Sequence, residues 1–225
     1  MHKTALITIN ADAARTRLSA AEKTFFLSLA QKADLLLAAD GGSLLYLQAG
    51  ILPQKVIGDL DSLSRTAVRR LKAAGVPFLT FPPEKDQSDL QLALEEALGK
   101  GAGSVTIYGG SSRTFPLRPD HVLININLLL WGKKQGLKIK WFLNAKTLLF
   151  FADAETELEA APGDTVSLVP FSAKVEQVTL EGFVYPLKAE TLYRDDSRGL
   201  SNVLKNSRGK IRLGAGLLLV CVIKA

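Results

Sequence analysis

The 225-residue chain is 47% hydrophobic and 22% charged, values typical of globular proteins that exclude a disordered chain or a collagen-like repeat. Its net charge of +6 suits anionic ligands. The basic stretches lack the interleaved aromatic residues of single-strand binders, so we predict no nucleic-acid partner.

The apolar runs are far shorter than the ~20 residues needed to cross a bilayer, and the N-terminus lacks the basic and then apolar pattern of an export signal. We therefore expect a cytoplasmic protein with no membrane partner. The single cysteine, Cys221, lies within an apolar run and cannot form an internal disulfide, so redox catalysis is not predicted.

Residues 1–145 alternate short apolar runs with longer segments of helical period. The candidate strands are residues 5–9, 35–39, 56–57, 78–80, 105–108 and 139–143. Because parallel strands need crossover connections, this alternation predicts an α/β domain with a mostly parallel sheet and helices on both faces. Ligands of such sheets bind beyond the carboxyl ends of the strands.

Residues 146–225 have a different sequence pattern, with runs of alternating apolar and polar residues broken by proline and glycine. The clearest runs are 165–169, 174–180 and 217–223. They predict a second domain, an antiparallel β-sandwich or barrel-like unit.

Two acidic segments directly follow candidate strands of the first domain. Asp40-Gly41-Gly42 allows a sharp turn and a close approach of the backbone to a ligand, although Asp40 could instead cap the next helix. In Gly58-Asp59-Leu60-Asp61-Ser62, both carboxylates would face one side if the chain stays extended. Such a pair favours a bound cation or a shared proton, and Mg²⁺ prefers hard oxygen ligands. A solvated turn is the structural alternative.

Two further polar segments precede predicted helices. Lys85-Asp86-Gln87-Ser88-Asp89 makes a strongly acidic helix start, of which a Ser88–Gln91 capping box explains only part. Gly109 and Gly110 follow the strand at 105–108, and Arg118-Pro119-Asp120-His121 opens the next helix. Glycines and arginine at a strand end form a candidate phosphate site, although the chain has no Walker pattern. For His121, a general base, a phosphate donor and a helix-capping residue all stay open.

The ordered set of these segments resembles the motif series of the thiamine pyrophosphokinase family. Two segments of the second domain are similar to stretches that the family keeps there, so that the resemblance covers nearly the whole chain. The segments that carry it are Asp40-Gly41-Gly42, Gly58-Asp59-Leu60-Asp61-Ser62, Lys85-Asp86-Gln87-Ser88-Asp89, Arg118-Pro119-Asp120-His121, Gly182-Phe183-Val184-Tyr185-Pro186-Leu187 and Gly199-Leu200-Ser201-Asn202.

The resemblance implies an enzyme that transfers diphosphate from ATP to the hydroxyethyl group of thiamine, with Mg²⁺ as the required ion. It implies that Asp59, Asp61 and Asp89 hold the metal and orient the attacking hydroxyl. The residues implied in binding ATP with its metal are Asp40, Gly41, Ser62, Lys85, Asp86, Gly109, Gly110, Arg118, Asp120 and His121.

For the second domain, the resemblance implies thiamine binding and dimerisation. Thiamine would lie between the catalytic domain of one subunit and the β domain of the other in a homodimer. Ser201 and Asn202 would hydrogen-bond the vitamin and Tyr185 would stack on one of its rings. The structural alternatives are a core aromatic for Tyr185 and a polar turn for Ser201 and Asn202.

One departure from the family pattern lies in the fourth motif, where residues 111–117 separate the paired glycines from Arg118. The insertion leaves open whether Arg113 or Arg118 binds phosphate. The same insertion keeps open a weakened nucleotide or thiamine binder. Because Ser201 and Asn202 alone hardly define an apolar ring pocket, a diphosphokinase acting on another alcohol, such as a pterin, is a further alternative.

Overall fold

The structure is a computed structural model that describes residues 2–9, 17–81, 86–110 and 118–225. The chain folds into two compact units, residues 1–145 and 146–225. No helix within the described residues is both long and apolar enough to cross a membrane.

The first unit alternates strands with helices. Its elements are β1 (Lys3–Ile9), α1 (Ala20–Gln31), β2 (Leu35–Ala39), a 3-10 helix (Asp40–Gly42), α2 (Ser43–Ala49), β3 (Lys55–Gly58), α3 (Arg65–Ala73), β4 (Phe78–Thr80), α4 (Asp89–Gly99), β5 (Ala102–Gly109), α5 (Pro119–Lys134) and β6 (Lys138–Phe142).

Six strands of this unit form a parallel sheet in the order β6-β5-β1-β2-β3-β4. In β1, at the centre of the sheet, Ala5, Leu6 and Ile7 are fully buried, as expected for a parallel strand covered on both faces. Because all six strands run the same way, the residues after β2, β3 and β5 lie beyond the same edge of the sheet.

Local signals in the sequence explain where the helices begin. The Ser64 hydroxyl accepts a hydrogen bond from the backbone of Ala67 and caps α3. Ser88 caps α4 in the same way, through the backbone of Gln91 at 3.3 Å. The capping box predicted there is therefore only half present, because the side-chain amide of Gln91 donates to Glu95 and not back to Ser88.

The second unit contains only strands. They are β7 (Thr147–Ala152), β8 (Thr156–Glu159), β9 (Thr165–Pro170), β10 (Lys174–Glu181), β11 (Glu190–Tyr193), β12 (Asn202–Val203), β13 (Arg208–Arg212) and β14 (Leu218–Ile223).

These strands form two antiparallel arrays, β12-β9-β14-β7 and β11-β10-β13-β8. Their inward side chains make one hydrophobic core, to which Leu168 and Val220 of the first array and Val178 and Ile211 of the second contribute. The alternation of buried and exposed residues along β9 and β10 is that of a sandwich. The predicted fold class, a parallel α/β unit followed by an antiparallel β unit, is confirmed.

Candidate active site

The first acidic segment turns directly after β2. Asp40 opens the 3-10 helix with a φ of 40° and is only 3% exposed. Gly41 and Gly42 are also buried, and a Cβ on Gly42 would lie 2.3 Å from the carbonyl oxygen of Thr8. Only glycine permits this approach to the end of β1, and it places Asp40 at the edge of the sheet. No side chain caps α2, so the capping role considered for Asp40 is not observed.

The second segment turns after β3. Gly58 has a φ of 146°, and a Cβ there would lie 2.9 Å from Asp40 Cβ and 3.0 Å from Asp89 Oδ1. The absence of a side chain at Gly58 therefore makes room for carboxylates from two other elements. The next residue, Asp59, lies at the same edge.

Three carboxylates meet there. One oxygen each of Asp40, Asp59 and Asp89 lies within 4.8 Å of the others. Asp89 is the first residue of α4, and both Asp89 and Asp59 are half-buried. We call these three residues the carboxylate cluster. Carboxylate oxygens at this spacing are hard ligands of the kind that Mg²⁺ and Mn²⁺ take in proteins.

Without a bound cation, the carboxylate cluster disfavours the ionised form of Asp40. Burial raises the pKa of Asp40 above its ordinary value; the hydrogen bond from Ser62 opposes this shift and the charge of Asp89 adds to it. Asp40 Oδ2 accepts a hydrogen bond from the Ser62 amide at 3.2 Å. Its Oδ1 is buried without a hydrogen-bond partner among the described residues. A buried oxygen without a partner is costly, and a cation would satisfy it.

Two predicted acidic residues lie outside the carboxylate cluster. Asp61 is exposed, and its Oδ1 accepts a hydrogen bond from the Ser62 hydroxyl at 3.1 Å. The spacing of Asp59 and Asp61 predicts that both lie on one side of an extended chain. The chain is not extended there, because Leu60 has a φ of 68°. Asp86 is also exposed, ahead of α4.

The strand end at β5 is shaped by two glycines. Gly109 and Gly110 have φ values of 110° and 87°. The carbonyl of Gly109 accepts a hydrogen bond from Trp141 Nε1 at 2.8 Å, and a Cβ on Gly110 would lie 2.8 Å from Ile9 Cδ1. The positive φ values favour glycine at both positions, whatever the two residues bind.

The start of α5 carries the predicted cationic residues on the surface. Arg118 binds Asp120 in two places, with 3.1 Å from Nε to Oδ1 and 2.7 Å from Nη2 to Oδ2. This hydrogen bonding lowers the pKa of Asp120 to about 2. His121 is exposed beside them, and Pro119 occupies the first turn as predicted. Lys85 and Arg113, two other cations named from the sequence, lie outside the described residues.

In the second unit, the residues predicted to bind thiamine lie on two backbone segments, one with Tyr185 and one with Ser201 and Asn202. Asn202 is buried, and its side chain joins the two segments: Nδ2 donates to the carbonyl of Tyr185 at 2.6 Å and Oδ1 accepts from its amide at 3.1 Å. The Tyr185 side chain is 64% exposed and so is not the core aromatic considered as an alternative. Ser201 is exposed in a left-handed turn with a φ of 56°.

Two residues that shape this site were not predicted from the sequence, Gly58 and Leu60. A glycine directly before an aspartate at a strand end is a signal that could have indicated Gly58. The left-handed backbone of Leu60 carries no such signal, because branched apolar residues seldom adopt it.

A parallel α/β unit that gathers carboxylates beyond its strand ends, followed by an all-β unit, defines a two-domain enzyme with a candidate metal site. Two family models match the chain: thiamin pyrophosphokinase, catalytic domain, over residues 26–141, and thiamin pyrophosphokinase, vitamin B1 binding domain, over residues 155–218. The thiamine pyrophosphokinase of Bacillus subtilis (strain 168) is 34% identical over 187 residues, covering 83% of this chain and 86% of that protein.

Solved structures agree with these matches. The crystal structure of the Bacillus subtilis thiamine pyrophosphokinase covers 99% of this chain and 100% of its own, with a TM-score of 0.83 and 29% identity. That of the Geobacillus thermodenitrificans thiamin pyrophosphokinase covers 99% and 98%, with a TM-score of 0.77 and 25% identity. The chain belongs to the thiamin pyrophosphokinase family. The predicted family and enzyme class are confirmed, and the comparisons do not favour the alternative acceptor.

Proposed function

We propose that this protein transfers the diphosphate group of ATP to thiamine, with Mg²⁺, giving thiamine diphosphate and AMP. The observation that carries the proposal is the carboxylate cluster, with its buried, unpartnered Asp40 Oδ1, in a chain whose two units match the two domains of the family. In this reaction the hydroxyethyl oxygen bonds to the β-phosphorus, and AMP leaves with the oxygen that bridged the α- and β-phosphates.

The carboxylate cluster fits a divalent cation. Two carboxylates within 4.8 Å repel by about 3–4 kcal/mol at an effective dielectric near 20. A bound cation would remove this repulsion and satisfy Asp40 Oδ1. We therefore expect Asp40, Asp59 and Asp89 to hold Mg²⁺, which would supply charge neutralisation for the phosphates. Asp61 as a metal ligand and Asp86 in ATP binding stay predictions, and both residues lie outside the carboxylate cluster.

The chain's own residues then have to align two substrates. Diphosphate transfer needs positioning and charge neutralisation more than covalent chemistry, so a site without a nucleophilic serine or cysteine is sufficient. We expect Arg118 and His121 to meet the phosphates, since both are exposed at the start of α5 beyond β5. Arg118 can keep part of its contact with Asp120 while a remaining N–H donates to phosphate.

For thiamine, the second unit offers an exposed aromatic ring next to polar groups. Tyr185 is free to stack on a cationic heteroaromatic ring because its side chain is 64% exposed. Asn202 holds the backbone of Tyr185 through two hydrogen bonds, so we expect it to act by positioning that residue. Ser201 is the remaining candidate hydrogen-bond partner of the vitamin.

We also propose a homodimer in the cytoplasm. Large apolar side chains are exposed near Ser201, with Val184 at 46%, Tyr185 at 64% and Leu200 at 53%. Neighbouring exposed apolar residues are typical of surfaces that bind a partner or a ligand. The cytoplasmic location rests on the sequence alone.

The experiment is a coupled measurement of AMP and thiamine diphosphate made by the purified protein from ATP, Mg²⁺ and thiamine. We expect the two products in equal amounts, none with a chelator present, and a rate at least about 100-fold lower in Asp59→Asn, which loses one ligand of the cluster. Asp195→Asn, an exposed aspartate of the second unit, is the matched control and should keep the wild-type rate. Absence of thiamine-dependent AMP would contradict the proposal, and faster turnover with a pterin alcohol would favour the other acceptor.

A further inference from the structure

Leu60 stands between the two aspartates of the β3 loop in a left-handed backbone conformation, with a φ of 68°. In this region the Cβ of an L-residue crowds its own backbone, and glycine, asparagine and aspartate are the usual occupants. A branched apolar residue stays there only when the surrounding structure holds it.

Three interactions hold Leu60. Its side chain is half-buried and packs against the hydrophobic core of the first unit. Its carbonyl accepts a hydrogen bond from the Leu63 amide at 3.3 Å. The next amide, of Asp61, donates to Asp59 Oδ1 at 3.3 Å. The apolar side chain is thus an anchor, and the loop is tied on both sides of it.

The turn at Leu60 decides which groups of the loop face the carboxylate cluster. Asp59 joins the cluster, whereas Asp61 is exposed and accepts from the Ser62 hydroxyl. The same turn brings the Ser62 amide to Asp40 Oδ2 at 3.2 Å. In an extended chain both aspartates would point to one side. The turn therefore supplies one carboxylate and one amide to the cluster instead of two carboxylates.

We propose that Leu60 is a positioning residue for the divalent cation. Its anchored left-handed turn presents Asp59 and the Ser62 amide to Asp40. That the ion serves ATP and thiamine rests on the proposed function; the positioning itself does not.

The test compares Leu60→Ile with Leu60→Met. Isoleucine is an isomer of leucine, but its branched Cβ disfavours positive φ, whereas methionine is unbranched at Cβ and keeps an apolar chain for the anchor. The readout is binding of Mn²⁺, followed by its electron paramagnetic resonance signal without nucleotide or thiamine. We expect at least fivefold weaker binding in Leu60→Ile and less than a twofold change in Leu60→Met. The Mg²⁺ concentration for half-maximal activity should rise in parallel, with the KM for thiamine unchanged.

Two further variants separate positioning from loss of stability. Gln177, in the second unit, also has a positive φ, of 55°; Gln177→Ile should lower the Tm and leave Mn²⁺ binding unchanged. Leu60→Gly accepts the backbone conformation freely but has no apolar side chain to anchor the turn. We therefore expect weaker Mn²⁺ binding in this variant too. If Leu60→Ile does not fold, Leu60→Gly tests the positioning role in its place.

Three results would overturn the inference: Mn²⁺ binding within twofold of wild type in Leu60→Ile or Leu60→Gly, equal impairment of Leu60→Met and Leu60→Ile, or no Mn²⁺ binding by the wild type. A wild type that binds Mn²⁺ but makes no thiamine diphosphate would contradict only the proposed function.

Discussion

Asp40 is the residue at which stability and function are most directly opposed. Its carboxyl group is buried beside Asp89, and burial raises its pKa. We predict that Asp40→Asn stabilises the metal-free protein, because an amide still accepts from the Ser62 amide, tolerates a φ of 40° and removes one buried charge. With about 1 kcal/mol worth roughly 2–4 °C at this size, the Tm in a chelator should rise by several degrees.

The same variant should lose the response to metal. Mg²⁺ that binds only the folded wild type raises its Tm by mass action, and Asp40→Asn should show little of this rise and little activity. Asp61→Asn is the matched control, since it removes an exposed charge from the same region and should leave the Tm in chelator within about 1 °C. A lower Tm of metal-free Asp40→Asn would contradict the prediction.

The pH dependence of this effect has a definite sign. Because the folded protein raises the pKa of Asp40, folding favours its protonated form, and this contribution to stability is lost as the pH rises through the raised pKa. In a chelator, the Tm advantage of Asp40→Asn should therefore be largest near neutral pH and shrink as the pH falls toward the ordinary carboxyl value of 3.8. Thermal unfolding of both proteins across this range measures it.

At the scale of the element, the end of β3 requires a residue without a side chain, Gly58. Gly58 has a φ of 146°, and a Cβ there would lie 2.9 Å from Asp40 Cβ and 3.0 Å from Asp89 Oδ1. We predict that Gly58→Ala destabilises the protein by about 1–3 kcal/mol and lowers activity at least tenfold, because the methyl group displaces the carboxylates. Chemical denaturation and the coupled AMP measurement check both effects.

Gly75→Ala is the matched control for the backbone part of that cost. Gly75 has a φ of 74°, and a Cβ there would meet nothing within 4 Å. This variant should lose stability but retain the activity of the folded fraction. Equal loss of activity per folded molecule in the two variants would indicate that Gly58 has no special relation to the carboxylate cluster.

Elements with strong, regular patterns could be predicted from the sequence, and those held by tertiary packing could not. The run at β2 gave its bounds directly, because a buried parallel strand is continuously apolar. β8 and β13 were missed because each has polar residues on its exposed face and only one or two buried apolar positions. Convergence of acidic residues at one edge follows from parallel topology, which is why Asp40, Asp59 and Asp89 could be named.

The local direction of each side chain did not follow from the sequence. Extended geometry predicted a shared face for Asp59 and Asp61, but the anchored turn at Leu60 separates them, and that turn depends on packing against the hydrophobic core of the first unit. Likewise, nothing in the sequence indicated that Asn202 holds the backbone of Tyr185. Interactions of this kind arise only once the elements have packed.

At the scale of the whole molecule, the proposed homodimer predicts complementation between inactive subunits. If each site combines the first unit of one subunit with the second unit of its partner, a dimer of Asp59→Asn and Tyr185→Ala contains one site with both defects and one intact site. Random mixing makes half of the dimers mixed, so the expected activity is about one quarter of wild type at a thiamine concentration where each variant alone is nearly inactive. Tyr185 is suited to this test because its exposed side chain can be removed without opening the core.

The control mixes Asp59→Asn with Asp89→Asn, two variants with defects in the same unit. Every mixed dimer then carries one defect in each site, and no activity should return. Mass spectrometry under native conditions counts the mixed dimers in both experiments. Sites contained within single subunits would give no recovery in either mixture, because each catalytic unit would work only with its own second unit, and a monomer in sedimentation would exclude the shared site altogether.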